Sequence, residues 1–196
     1  MKVEKLEDLM LEAPHGDSSM RNTYTEKQRI HKMNIYFSHG KMGTPWSKKI
    51  KRLATVAKSK RHNVRSINYT GVLNPDLRVK RLKGILQKDD GEKILVGSSM
   101  GGYASLVASE TIAVKGLFLL APALYLGGYQ IQKFAPKADH IEIVHGWSDA
   151  TVPVEYSIKF AKTFNATLHI LDSDHRLYNA LKKVEGIFEQ FLTQIL

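Results

Sequence analysis

Residues 96–105 read VGSSMGGYAS, and within them Gly97-Ser98-Ser99-Met100-Gly101 forms a G-x-S-x-G pattern centred on Ser99. The apolar run KILVGS (93–98) precedes it and the helix-like MGGYASLVASE (100–110) follows. A residue held on so sharp a strand-to-helix turn crowds the positions two before and two after it, so only small residues fit there. The turn lifts the Ser99 hydroxyl clear of the backbone. It also sets Ser99 at a helix N-terminus, where unpaired N–H groups and the helix dipole favour developing negative charge. This is the environment of a serine nucleophile. The Met100 N–H would then face the reacting carbonyl, and the loop Ser-His-Gly-Lys (38–41) is suitably placed for the Lys41 N–H to be a second oxyanion donor. Ser98 is the weaker candidate because it lacks a glycine two residues before it. Neither a GxxxxGK[ST] loop nor a GxGxxG fingerprint is present.

The elements that must position these groups alternate along the chain. Apolar runs at 33–39, 63–69, 93–98, 114–122, 140–146 and 166–172 read as strands. Several are apolar throughout, as expected for strands buried on both faces of a parallel sheet. Segments 45–60, 75–88, 100–110, 153–164 and 176–195 read as helices. In the first, Trp46, Ile50, Leu53, Ala54 and Ala57 recur at helical spacing. The alternation predicts a three-layer α/β fold, a mostly parallel sheet of about six strands with helices on both faces.

In an open α/β sheet, ligands bind at the carboxyl ends of the strands. The polar residues that follow predicted strands are few: His39, Gly40 and Lys41, then Ser99, then Asp149, then Asp174 and His175. A serine, an aspartate and a histidine therefore fall on one edge of the sheet, in that chain order. Taken with FSHGKMG (37–43), VHGWSDATVP (144–153) and DSDHRL (172–177), the elbow VGSSMGGYAS resembles the α/β-hydrolase superfamily, over about residue 33 to the end. The chain is most similar to its small, nearly capless serine esterases. It is also similar to dienelactone-hydrolase-like members, which usually carry cysteine at the elbow. The resemblance implies Ser99 as nucleophile, His175 as general base and Asp149 as the acid that orients the histidine. It implies no metal and no cofactor, and a small-molecule ester or thioester substrate. A non-catalytic binding protein, a peptidase or an acyltransferase on the same scaffold are the alternatives.

Asp172 and Asp174 rival Asp149, but neighbours along the chain are poorly placed to hold an imidazole. His169 falls inside a predicted strand. His39 and His145, each before a glycine, read as loop-shaping groups. Only residues 123–139 are left to make a cap, enough for one short helix and a loop. The expected site is therefore open and shallow, with Met42, Trp46, Leu124, Tyr125 and Tyr129 as substrate-pocket walls. Residues 1–32 are polar and read as a partly ordered N-terminal extension, with the hydrolase domain over 33–196.

The chain has 196 residues and a formal net charge of +10. Its basic residues concentrate in 48–61 and 78–83, without the interleaved aromatics that base stacking needs. These runs read as solvated helix faces rather than a nucleic-acid surface, and the Lys41 side chain as solvated rather than bound to an anionic substrate. No apolar run reaches about 18 residues, and the first twenty residues carry acids where a secretion signal needs an apolar core. With no cysteine, the chain is expected in the cytoplasm, away from membranes.

Overall fold

The computed structural model describes residues 32–195, so the expected N-terminal extension lies, Lys32 apart, outside the described residues. Strands β1 (Asn34–Ser38), β2 (Asn63–Ile67), β3 (Lys93–Ser98), β4 (Val114–Leu120), β5 (Ala138–Gly146) and β6 (Thr167–Leu171) form one sheet in the order β2-β1-β3-β4-β5-β6. Every pairing is parallel. Between them run helices α1 (Lys48–Ser59), α2 (Pro75–Leu86), α3 (Met100–Ser109), α4 (Val154–Phe164) and α5 (Leu181–Gln194). The chain steps outward from β1 to β2, then returns to place β3 on the other side of β1. That reversal opens a crevice beyond the carboxyl ends of β1 and β3, where Ser38 lies opposite Gly97.

Each helix forms where its sequence has a start signal or an apolar stripe. Asn74 begins α2: its side-chain oxygen accepts from the Asp76 and Leu77 N–H groups at 2.8 and 3.0 Å, and Pro75 occupies the first turn. The Ile50, Leu53, Ala54 and Ala57 stripe of α1 packs with Phe188 and Phe191 of α5 on one face of the sheet. On the other face α2, α3 and α4 supply Leu82, Leu106 and Phe160. Helix α3 is buried along its whole length, as a helix apolar on every side must be.

Three local expectations are corrected. The last helix begins at Leu181 rather than near 176, because Asp174 Oδ1 accepts from the Arg176 and Leu177 N–H groups at 2.9 and 3.1 Å. That side-chain turn competes with the helix, and Leu177 turns to φ 59°. Residues 123–137 carry no helix. Tyr125 at φ 56° and Gly128 at φ 81° interrupt any helical run. The basic runs are not uniformly solvated either: Lys49 is 6% exposed and Arg78 is fully buried. No helix among the described residues is long and apolar enough to cross a membrane.

Candidate active site

Ser99 sits between β3 and α3 with φ 54° and ψ −120°. A non-glycine residue in such a conformation stores about 1–3 kcal/mol of strain. The surrounding backbone holds it there. The Ser99 N–H donates to the Leu120 carbonyl at 2.9 Å, and the Ser99 carbonyl accepts from Gly102, Ala123 and Tyr103 at 2.8, 3.0 and 3.2 Å. The elbow glycines are needed for close approach. A Cβ on Gly97 would strike the Gly101 carbonyl, and one on Gly101 would strike the Ser38 carbonyl at the end of β1.

From the far half of the sheet His175 reaches Ser99, and Asp149 reaches His175. His175, in the loop after β6, places Nε2 3.0 Å from Ser99 Oγ and Nδ1 2.7 Å from Asp149 Oδ2. Asp149, in the loop after β5, has a fully buried side chain. Its Oδ1 accepts from the Thr151 and Val152 N–H groups at 2.8 and 2.9 Å. Burial opposes its ionisation, but bonds from Val152, His175 and Thr151 outweigh burial and hold its pKa below the usual aspartate value. The carboxylate therefore stays charged and fixes the imidazole with Nδ1 protonated, leaving Nε2 to accept from the serine hydroxyl. His145 Nε2 lies 3.0 Å from the same Oδ2 and 3.0 Å from the Val152 carbonyl, while its Nδ1 accepts from Ser157 at 2.7 Å. Burial keeps the His145 pKa low, so it braces the carboxylate as a neutral donor. Asp172 and Asp174 make other bonds. The Asp172 carbonyl accepts from Asn179, and Asp174 closes its own turn. His169 pairs with Glu142 at 2.7 Å.

The loop after β1 is built around a buried cation. Arg78 of α2 donates through Nη1 to the His39 and Gly40 carbonyls at 2.8 and 3.2 Å, through Nη2 to Lys41 at 3.1 Å and through Nε to Val72 at 2.7 Å. Its guanidinium also lies over the Tyr69 ring, 5.1 Å from the centroid. His39 accepts from the Tyr69 N–H at 3.0 Å and donates from Nδ1 to the Gly40 carbonyl at 2.8 Å. In a trans peptide the N–H points opposite to its C=O. The Gly40 carbonyl is held by Arg78, His39 Nδ1 and the Gly43 N–H, so the Lys41 N–H is turned away from those groups. A Cβ on Gly40 would stand 3.4 Å from Ser99 Cβ. No bond runs from the Lys41 or Met100 N–H to another described residue.

A cavity of about 410 Å³ opens over Ser99 and His175, and Met42, Lys41, Lys49, Thr151, Arg176 and Tyr178 are among its walls. Of the five expected pocket residues, Met42 lines it, 87% exposed. The other four lie elsewhere. Trp46 precedes α1 and borders a separate depression with Lys51 and Thr55. Leu124 is fully buried in the core beneath α2 and α3. Tyr125 packs on Phe134 and Tyr156, and Tyr129 on Tyr103. The segment after Pro122 folds back onto the core, so its aromatic residues become packing rather than walls.

Arg78 and Lys49 escape a reading by charge runs, yet each carries a signal. Arg78 falls in the stripe Pro75, Arg78, Val79, Leu82, Leu86, and Lys49 lies beside Ile50 and one turn before Leu53. A basic residue in phase with an apolar stripe is a candidate for a buried role.

Residues 33–162 match the Uncharacterised protein family (UPF0227), a span that holds Ser99 and Asp149 but ends before His175. Among proteins of curated function, none matches. A crystal structure from Xanthomonas campestris pv. campestris, of a protein assigned to the α/β hydrolase superfamily, is 27% identical, with a TM-score of 0.74 over 83% of this chain and 99% of that one. Est1E from Butyrivibrio proteoclasticus, at 16% identity, has a TM-score of 0.67 over 87% and 90% of the two chains. An α/β serine hydrolase without a lid from Xanthomonas campestris, at 17% identity, has a TM-score of 0.63 over 84% and 82%. These last two share the fold. The parallel six-stranded sheet and these matches agree: the chain belongs to the Uncharacterised protein family (UPF0227), within the α/β-hydrolase superfamily.

Proposed function

We propose that the protein is a serine hydrolase that cleaves a carboxylic ester or thioester of a small acyl substrate through an acyl-enzyme on Ser99. The observation that carries this reading is the unbroken chain from Ser99 Oγ through His175 to the buried Asp149 carboxylate, with contacts of 3.0 and 2.7 Å. His175 Nε2 takes the hydroxyl proton as Ser99 attacks the carbonyl, and returns it to the leaving alcohol or thiol as the tetrahedral intermediate collapses. Water repeats the two steps and releases the acid. The Met100 and Lys41 N–H groups hold the oxyanion. Asp149 keeps the imidazole in the working tautomer and stabilises its cation. The reaction needs no metal or cofactor, and the catalytic domain spans 33–196. Ferulic acid bound to Est1E, a protein of the same fold, is a carboxylic acid, the product class assigned here. A chain without cysteine fits work in the cytoplasm.

A fluorophosphonate probe tests the assignment. We expect labelling of the wild-type protein at Ser99 and none in Ser99→Ala. Hydrolysis of a series of 4-nitrophenyl esters and acyl-CoA thioesters should fall on the order of 10⁶-fold in kcat for the same variant. Activity at wild-type level in purified Ser99→Ala would end this reading.

A further inference from the structure

The walls of the cavity over Ser99 carry three cationic side chains, Lys41, Lys49 and Arg176, and no carboxylate among the described residues that line it. Lys49 is the unusual member. It is 6% exposed, yet it is among the residues that line the cavity. Burying a lysine is costly unless its charge is answered. Here Nζ donates to a single described acceptor, the Arg176 carbonyl at 3.1 Å, and makes no ion pair with a described residue. Asp174 and Asp149 are felt at longer range. Burial lowers the Lys49 pKa to about 8, and those two carboxylates oppose the drop, so the ammonium form prevails at neutral pH. Asp149 is already engaged with His175 and His145, and Asp174 with the backbone of its own turn. An ammonium has three donors. Two of those on Lys49 have no described partner, and the residue borders the cavity over Ser99.

We propose that this cavity selects anionic esters, with Lys49 as the buried specificity residue and Lys41 and Arg176 as its outer cations. The proposal deepens the hydrolase reading and rests on it for the ester bond. The anionic group is a carboxylate or similar oxyanion on the substrate, carried by the acyl chain or by the leaving group. It supplies the acceptor that Lys49 lacks, in a site partly shielded from water where a charge-assisted hydrogen bond is strong. A neutral ester leaves Lys49 desolvated and unanswered, so the charged substrate is favoured by the penalty on the neutral one as much as by its own contact.

Two measurements separate this proposal from the reaction on which it depends. Calorimetric titration of adipate into Ser99→Ala reads the anion site without turnover. Saturable binding is expected, weakened about tenfold to a hundredfold by Lys49→Met in that background and largely restored by Lys49→Arg. No binding, or binding that Lys49→Met leaves unchanged, overturns the proposal. The second measurement compares kcat/KM within two pairs: 4-nitrophenyl hydrogen adipate against its methyl ester, and 4-hexanoyloxy-3-nitrobenzoate against its methyl ester. A preference of about tenfold or more for the charged member is expected in one pair, and that pair tells whether the anion rides on the acyl or the leaving group. Equal rates within both pairs overturn the proposal. So does an equal loss on charged and neutral esters in Lys49→Met, which would make Lys49 a brace for the His175 loop. If adipate binds but no ester is cleaved, the hydrolase reading falls while the anion site stands.

Discussion

Two His-Gly dipeptides mark strand ends of this sheet, His39-Gly40 just after β1 and His145-Gly146 as the last two residues of β5, and they are wired in opposite senses. Both imidazoles are buried, at 1% and 0% exposure, and burial holds both below the usual histidine pKa. His39 is protonated on Nδ1 and receives a bond at Nε2, whereas His145 is protonated on Nε2 and receives one at Nδ1. Behind the first loop lies a permanent cation, Arg78, which draws three successive carbonyls inward. Behind the second, N–H groups of Thr151 and Val152 and the His145 ring converge on a carboxylate. One loop has its acceptors consumed from behind. The other presents an acceptor because donors gather around it. On the proposed mechanism the same two-residue motif would serve opposite halves of one reaction, with a buried charge of opposite sign beneath each.

Breaking the acceptor loop should cost most. Asp149→Asn keeps the shape but lets His175 take the wrong tautomer, and a loss of about 10⁴ in kcat is expected. A loss of less than tenfold would mean another group orients His175. Breaking the donor loop should cost less. Arg78→Met leaves the Gly40 carbonyl without its cation and frees the Lys41 N–H to turn, so kcat should fall about 10²–10³-fold, the cost of one oxyanion donor, with KM nearly unchanged. Arg78→Lys restores the charge without the fork and should lie between the two. If Arg78→Met remains folded by circular dichroism and keeps full kcat, the donor loop is not set from behind.

The smallest effect concerns buried histidines, the two of the His-Gly pairs and His62, which precedes β2 and accepts from the Met33 N–H. His39, His62 and His145 all have folded pKa values lowered from 6.5, chiefly by burial. The unfolded chain therefore binds protons more readily than the folded one below about pH 6.5. Stability from these groups is fully present above that value and is lost as pH falls toward their depressed folded values. The melting temperature should drop between pH 7 and pH 5, with a shallower slope in His145→Gln even if that variant is less stable at pH 7. An unchanged slope in His145→Gln would remove His145 from this account.

Much of this arrangement is legible along the chain. The strands are short apolar runs, and Ser99, Asp149 and His175 each follow one, so their common edge comes from the alternation of elements. Local chemistry near a strand end survives translation into three dimensions because the strand itself fixes its place. What sits behind and around those loops is harder to read. Arg78 reaches the β1 loop from a helix more than thirty residues away, and only its phase with Val79 and Leu82 marks it as buried. The pocket walls were the least legible. Whether Leu124, Tyr125 and Tyr129 face substrate or core depends on how 123–137 folds back, and while Gly128 is a ready site for positive φ, that of Tyr125 has no strong local cause in the sequence. The start of the last helix was lost to one carboxylate, Asp174, closing a turn on its own backbone.

The seam where Gly101 rests on the Ser38 carbonyl has a consequence for how such a site can be altered. The first turn of α3 and the end of β1 meet there main chain to main chain, with no side chain between them. Their spacing is therefore a fixed gauge, set by the van der Waals radii of backbone atoms, and substitutions elsewhere have no shim to thicken or thin. On the proposed reading, new substrate preferences are written in the cavity walls, in residues such as Met42, Lys49 and Tyr178, while the working gap stays as wide as the backbone makes it.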